Sequence, residues 1–402
     1  MKNLNSKNSI PIIFNHFVIC IFIFLTFLSC SKTESELKTI DILENNNDEI
    51  KISDLIDNIE YIPLASDSLL AYIMKVDYIN NNFFVKDNKS KFLRFNEEGK
   101  LINQIGKRGR GPGEYRYASD FAIDPETGKI FIIGGKPEQI MVFSPEGNFI
   151  EALNLSKKHA TSIGITEGNL LLFYFDGAQH NEENMELLDT KGNSIKSYPN
   201  KYEFERGRAS VQFVGECVMY SLKGKLYFKE IFSDTIFYLD GQKMVPEMVL
   251  NSGDRRFSPG RRTKAIADLG ANPRVSSESM TKSVIQNNLF ETSNFLFYCY
   301  GYDKKGRMLV YNKSTGTQVE VDLKAGIEND WDGGPNIQFK MNKDDNTLFS
   351  WINAFDLKTY VASDAFKNST PKYPEKKKEL QKLANSLDEN DNPVLMLVKL
   401  KE

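Results

Sequence analysis

Gln139-Ile140-Met141-Val142-Phe143-Ser144-Pro145-Glu146-Gly147-Asn148 is a short apolar strand running into a polar turn built on glycine. The same unit recurs along the chain. Lys91-Phe92-Leu93-Arg94-Phe95 leads to Glu97-Glu98-Gly99-Lys100, and Met185-Glu186-Leu187-Leu188-Asp189 leads to Thr190-Lys191-Gly192-Asn193. Thr235-Ile236-Phe237-Tyr238-Leu239 runs into Asp240-Gly241-Gln242, and Arg307-Met308-Leu309-Val310-Tyr311 precedes Ser314-Thr315-Gly316-Thr317. Glycine adopts positive φ without steric cost, which tight hairpins require. These glycines stand 48, 45, 49 and 75 residues apart. The long interval contains a segment over about 253–283 that reads as an insertion, and without it the period returns to about 45.

Further apolar strands lie upstream of each turn: Phe83-Phe84-Val85, Lys129 to Ile133, Asn169 to Tyr174, Lys225 to Phe228 and Asn294 to Tyr298. About four short strands per unit is the pattern of a propeller blade. A single blade cannot bury both of its faces, so blades must pack on one another around an axis. A sixth blade is read from Asn336 to Lys340, Thr347 to Trp351 and Leu357 to Val361. Pro374 to Leu387 carries Leu380, Leu383 and Leu387 at helical spacing among lysines and glutamates, and a late strand follows over Asn392 to Lys399. Ile50 to Ile52 and Ile59 to Leu64 are also strand-like, and the ring is expected to close where one of them joins the last blade. The expected fold is all-β: a six-bladed β-propeller over residues 50–402, with a short C-terminal helix and an inserted loop between blades 4 and 5.

Composition agrees with strands, since aromatic residues reach 12%. The 51 basic and 54 acidic residues give a net charge of −3, which excludes a global field for nucleic acid. An anionic ligand would need a local basic patch. The N-terminus sets the compartment. Lys2 and Lys7 precede an apolar run from Ile10 to Leu28, broken only by Asn15 and His16, and Phe27-Leu28-Ser29-Cys30 closes it. A charged start, an apolar stretch and a small residue before the cut read as a secretory signal over residues 1–29. The serine and cysteine at the cut resemble a bacterial lipobox, with Phe27 departing from the usual leucine. That resemblance implies a lipid on Cys30, a flexible tether over residues 30–49 and an address in the cell envelope, on the outer membrane. Glu34 and Glu36 resemble the acidic tethers of some surface lipoproteins. Cys217 and Cys299 remain for the folded part, too few for a disulfide scaffold, and buried free thiols are the expectation.

The most distinctive string is Ile105-Gly106-Lys107-Arg108-Gly109-Arg110-Gly111-Pro112-Gly113-Glu114-Tyr115. Its Gly-Pro-Gly-Glu-Tyr core resembles the signature of a family of six-bladed β-propeller lipoproteins of unknown function, whose repeats resemble those of NHL-type propellers. The charged helix before Asp391-Asn392-Pro393-Val394-Leu395 resembles the end of the same family. The resemblance covers roughly residues 50–402 and implies fold and address, not activity.

The glycine-rich string lacks the spacing of a phosphate loop, because no Gly-Lys-Ser/Thr follows it. It reads first as a connector between blades. Arg108, Arg110 and Arg116 can also present guanidinium forks to a carboxylate or sulfate. The insertion carries Arg255, Arg256, Arg261, Arg262, Lys264 and Arg274 around Ser258-Pro259-Gly260, with a short helical piece over Lys264 to Leu269. Insertions of this kind sit on a propeller face, where loops carry function. The alternatives are a lid over the central channel and a solvated loop. No metal or other cofactor is expected: only His159 and His180 survive removal of the leader, and no Cys/His pair has ligand spacing. Asp330-Trp331-Asp332-Gly333-Gly334 reads as a turn, and Trp331 and Trp351 as packing residues. These features favour a monomeric, non-catalytic binding or scaffold module for a glycan or an envelope protein. The alternatives are a polysaccharide hydrolase or lyase using acidic residues at the channel mouth, and a subunit of an envelope complex.

Overall fold

A computed structural model of the chain describes residues 1, 37–44, 49–136, 138–157, 159–174, 182–205, 213–272 and 277–401. The leader after Met1, Cys30, His180 and Arg274 lie outside the described residues. The chain divides into two units, Met1–Lys38 and Thr39–Glu402. The second unit holds six antiparallel sheets, blades 1 to 6. Blade 1 is Ile73–Ile79, Asn82–Asp87, Phe92–Asn96 and Leu101–Gln104; blade 2 is Asp120–Ile123, Ile130–Ile133, Gln139–Phe143 and Phe149–Asn154. Blade 3 is Ala160–Thr166, Asn169–Tyr174, Glu183–Asp189 and Ser194–Pro199; blade 4 is Cys217–Leu222, Lys225–Glu230, Thr235–Asp240 and Lys243–Asn251. Blade 5 is Ile285–Glu291, Phe295–Tyr302, Lys305–Asn312 and Gln318–Asp322. Blade 6 takes Met341–Asn342, Thr347–Ile352 and Val394–Leu400 from the C-terminal part and its outermost strand, Ile56–Pro63, from the N-terminal part.

Burial follows from this stacking. Both faces of a blade are covered by its neighbours, so the second strand of blade 1 is buried at every position. Outer strands meet water on one side, and Leu101–Gln104 alternates between half-buried and exposed. The five turn glycines all sit between the third and fourth strands, with φ of 78° at Gly99, 87° at Gly147, 86° at Gly192, 54° at Gly241 and 74° at Gly316. Blade 6 has no such turn, because its third and fourth strands come from opposite ends of the chain. Ile56–Pro63 pairs antiparallel with Val394–Leu400, with Tyr61 opposite Met396. The ring closes as the sequence suggests.

Three readings change. Leu357 to Val361 is part of a helix, Ala354–Ala362, not a strand. Ala354, Leu357 and Val361 are its buried positions, and their spacing is helical. Together with Asp364–Asn368 and Pro374–Ser386 it forms a helical insertion between the second and third strands of blade 6, and the charged helix stands where the sequence places it, near the C-terminus ahead of the last strand. The first strand of blade 6 is the short Met341–Asn342, not Asn336 to Lys340. Within the stretch read as tether, Lys38–Asp41 is a fifth strand on the outer edge of blade 4. Ile40 and Ile42 are 3% and 1% exposed and pack between blades 4 and 5, beside Leu250, Leu289 and Tyr300. Their period-two spacing is that of a strand with one buried face.

Candidate functional site

Antiparallel four-stranded blades place their connections at two ends of the ring. The hairpins between first and second strands, and between third and fourth, fall at one end. Second-to-third hairpins and blade-to-blade connectors fall at the other. The glycine-rich connector between Gln104 and Asp120, the insertion between Asn251 and Ile285 and the helical insertion of blade 6 therefore share one end of the ring, the connector end.

The glycine-rich connector is a small closed hairpin. Gly109 N–H donates to the Tyr115 carbonyl at 2.9 Å, and Tyr115 N–H to the Lys107 carbonyl at 3.2 Å. Gly111 N–H donates to Glu114 Oε2 at 2.8 Å, and Lys107 pairs with the same carboxylate at 3.0 Å. These contacts hold the Glu114 carboxyl below its ordinary range, the Gly111 N–H most of all. Glycine is required at Gly113, where φ is 72° and a Cβ would meet Phe149 Cβ at 2.9 Å. Tyr115 is buried, and its hydroxyl donates to the Ile105 carbonyl at 3.1 Å. This rigid base leaves Arg108, Arg110 and Arg116 exposed, with Arg108 Nε donating to the Arg116 carbonyl at 3.1 Å.

The insertion is folded rather than a loop. Its helix spans Pro259–Ala271, longer than the piece read from the sequence, with Ser258 as cap and Pro259 in the first turn. Its arginines divide three ways. Arg262 is fully buried, and its two terminal nitrogens donate to the two carboxylate oxygens of Glu216, both at 2.7 Å. Its guanidinium lies 4.5, 5.2 and 5.7 Å from the rings of Phe204, Phe213 and Phe232. This pair fixes the helix to the connector between blades 3 and 4, and a solvent ligand cannot reach the guanidinium. Arg261 is half-buried and donates to the carbonyls of Lys282 and Asp254 at 3.0 and 2.6 Å and to Ser283 Oγ at 2.9 Å. Arg255 and Arg256 remain exposed, with Arg255 5.3 Å from the Tyr302 ring. The seven candidate arginines thus form two groups, three on the connector between blades 1 and 2 and four on that between blades 4 and 5.

The axis is held by other residues, which the sequence did not single out. Every blade junction carries a hydrogen bond at its first strands. Lys75 of blade 1 donates to Asp120 Oδ1 and the Phe121 carbonyl of blade 2, both at 2.7 Å. Ile163 N–H of blade 3 donates to Asp120 Oδ2 at 3.1 Å, and Ser162 Oγ to the Cys217 carbonyl of blade 4 at 3.2 Å. Gln286 of blade 5 donates to the carbonyls of Gly215 and Lys229 at 2.8 and 3.1 Å, and Asn288 to the Lys340 carbonyl beside blade 6 at 2.6 Å. Val76 N–H of blade 1 donates to Met341 Sδ of blade 6 at 3.2 Å. Burial shifts the ionisable groups around this ring. It pushes the Glu230 carboxyl up to about 6, against an Asn184 amide donating at 2.7 Å, and the Lys229 ammonium down to about 8. It raises Asp77 and lowers Lys86, whose ammonium donates to the Ala118 carbonyl at 3.0 Å. Cys217 and Cys299 are buried free thiols, the second pushed up to about 12 by burial. Trp331 packs on Tyr373 at 4.2 Å, and Asp332 accepts from the Tyr61 hydroxyl at 2.8 Å, which ties the Asp330–Gly334 turn to the closing strand.

The connector end of blade 1 also holds an open groove of about 480 Å³, walled by Leu69 to Ala71, the Asp87–Lys91 hairpin and Gln104 to Arg108.

A closed ring of six blades with its long connections gathered at one end defines a six-bladed β-propeller. The chain belongs to the family called Domain of unknown function (DUF4934), whose model matches residues 37–399. No curated protein matches it. The structure is similar to that of a protein from Bacteroides fragilis NCTC 9343 that is expected to be exported, with a TM-score of 0.69 and 20% identity, covering 91% of this chain and 100% of that one. It is also similar to a DUF4221 family member from Bacteroides vulgatus, with a TM-score of 0.53 and 11% identity, covering 86% of this chain and 97% of that one. At these identities the likeness speaks for the fold alone. The propeller family of unknown function that the sequence resembles is consistent with both.

Proposed function

We propose that the protein is an exported propeller, held in the cell envelope by a lipid on Cys30, that binds an anionic glycan or protein partner through its connector end without converting it. One observation carries the binding reading. Arg108, Arg110, Arg116, Arg255 and Arg256 are all exposed at that end, and among the described residues none is paired with a carboxylate. Guanidinium groups on fixed loops are suited to carboxylate and sulfate, because little freedom is lost on binding. The leader from Lys2 to Cys30 supports the address, as does the expected export of the Bacteroides fragilis neighbour. Titrating wild type and a variant with all five arginines changed to glutamate against a panel of acidic polysaccharides and envelope proteins tests the reading. Binding lost in the variant, with no bond cleaved in the bound ligand, supports it; equal binding by both proteins contradicts it. Incorporation of labelled palmitate, abolished by Cys30→Ser, tests the anchor separately.

A second reading, hydrolysis or lysis of a polysaccharide, draws on Glu230. A carboxyl raised to about 6 between blades 3 and 4 has the acidity that general acid–base work needs. Turnover of any polysaccharide that disappears in Glu230→Gln would replace the binding reading with this one.

A further inference from the structure

We propose that the outer edges of blades 4 and 5 are the side of the propeller that faces the lipid bilayer, with the connector between blades 1 and 2 held on the far, aqueous side. The inference rests on the reading that Cys30 carries a lipid, and it gives the anchored ring an orientation. The strand Lys38–Asp41 fixes the place where the chain reaches the ring. Ile42 N–H donates to the Asn251 carbonyl at 3.1 Å, the Asn251 side-chain amide donates to the Asp41 carboxylate, and the Gln318 amide donates to the Asp41 carbonyl at 2.9 Å. Asn251 ends the outer strand of blade 4, and Gln318 begins that of blade 5. Ile40 and Ile42 are buried between the two blades, so the attachment holds for as long as these blades stay packed.

Thr39 is nine residues beyond Cys30. Nine residues reach about 30 Å at full extension, whatever their conformation. The contacts at the axis run from blade 1 through blade 6 in order and back to blade 1, which sets the junction of blades 4 and 5 opposite that of blades 1 and 2. Each blade spans three strand spacings of about 4.8 Å from its first strand to its fourth, so the two opposite rims stand about 40 Å apart once the central channel is included. The tether is shorter than that span. The rim of blades 1 and 2 therefore cannot turn to the bilayer while the lipid stays inserted. A ring lying flat needs a second hold at its free rim, and the covalent attachment is at blades 4 and 5. The exposed arginines divide accordingly. Arg255 and Arg256 follow Asn251 by four and five residues and stand on the membrane side, whereas Arg108, Arg110 and Arg116 face the aqueous space. The second group is then the one open to a ligand arriving from solution.

Resonance energy transfer from single dyes to acceptor-labelled headgroups tests the orientation, with the lipidated full chain in vesicles of phosphatidylethanolamine and phosphatidylglycerol. The dyes are placed on Lys243→Cys and Glu247→Cys in the outer strand of blade 4, and on Ile102→Cys and Glu151→Cys in the outer strands of blades 1 and 2. All four native side chains are exposed, and among the described residues the thiols, Cys217 and Cys299, are buried. The expected result is transfer at least about twofold stronger from the blade 4 pair at unchanged Tm, because the two rims differ by about 40 Å in height. Equal transfer from all four positions, or stronger transfer from blades 1 and 2, overturns the orientation while the vesicle binding itself leaves the anchor standing. Failure of the chain to take up palmitate and bind vesicles removes the anchor and this inference together.

Discussion

Arg261 and Arg262 are neighbours in the chain, and only one of them is fully enclosed. On a helix they point about 100° apart, and Arg262 shares its face with the buried Ala265 and Ile266. That three-and-four spacing is a signal in the sequence, but the surrounding arginines and lysines mask it, and composition alone groups Arg262 with its exposed neighbours. Removing one partner of a buried ion pair leaves the other charged and unsolvated. Arg262→Ala should therefore cost about 3–5 kcal/mol in urea unfolding, whereas Arg255→Ala should stay within about 0.5 kcal/mol. Glu230 gives a prediction with a pH sign. Its folded carboxyl is raised from 4.5 to about 6, so its contribution is fully present below the unfolded value and is lost as pH rises through about 6. Glu230→Gln keeps an acceptor for Asn184 and removes that loss. The variant should be more stable than wild type at pH 7.5, by up to about 2 kcal/mol, and the difference should vanish near pH 4; thermal unfolding at the two pH values reads it. The axial contacts of Asp120, Gln286 and Asn288 were not legible at all, because one polar residue in an apolar strand says nothing about its partner.

Elements were legible where the backbone needed a particular residue. The hairpins between third and fourth strands in blades 1 to 5 hold positive φ, and glycine marked each of them in the sequence, whereas Asn80, Asn81, Asp303 and Lys304 hold positive φ in other hairpins without a glycine. A Cβ on Gly147 would also meet the Gln104 carbonyl oxygen at 2.1 Å, so that turn is bound to the neighbouring blade as well as to its own strands. The sixth blade lacked the mark for a topological reason: no turn joins strands that come from the two ends of the chain. The short strand Lys38–Asp41 was hidden by the polar residues around it, with only Ile40 and Ile42 to show its buried face. Its attachment is specific. Ile42 N–H donates to the Asn251 carbonyl at 3.1 Å, Gln318 donates to the carbonyls of Asp41 and Glu44 at 2.9 and 2.7 Å, and the Tyr300 hydroxyl donates to the Ile42 carbonyl at 3.2 Å. The segment therefore joins the outer edges of blades 4 and 5. Ile42→Ala should cost about 2–5 kcal/mol, as for other buried isoleucines, and should raise hydrogen exchange first in Lys243–Asn251 and Gln318–Asp322.

At the scale of the molecule, the four inner strands of each of blades 1 to 5 are continuous in the sequence, Lys38–Asp41 adds to the edge of blade 4, and the sixth blade ties the two ends of the folded unit together. The segment before it is fastened too. Ile52 N–H donates to the Glu328 carbonyl at 2.9 Å, and Ser53 binds Asp330 through its N–H at 2.9 Å and its hydroxyl at 2.7 Å. An open ring would expose two sheet faces and an unpaired edge, so closure is what allows six weak units to behave as one domain. It also fixes the connectors relative to one another, which the proposed binding face requires. The period of about 45 made the ring legible, whereas any binding site is built from groups that meet only after folding. Central to the account is closure by Ile56–Pro63 against Val394–Leu400. Asn58 and Lys399 are exposed register partners across that seam, and among the described residues the thiols, Cys217 and Cys299, are buried. The double variant Asn58→Cys/Lys399→Cys, oxidised in the folded state and mapped without reduction, should yield one peptide joining the two ends of the chain; two free thiols that both react with maleimide in the native protein would contradict the closed ring.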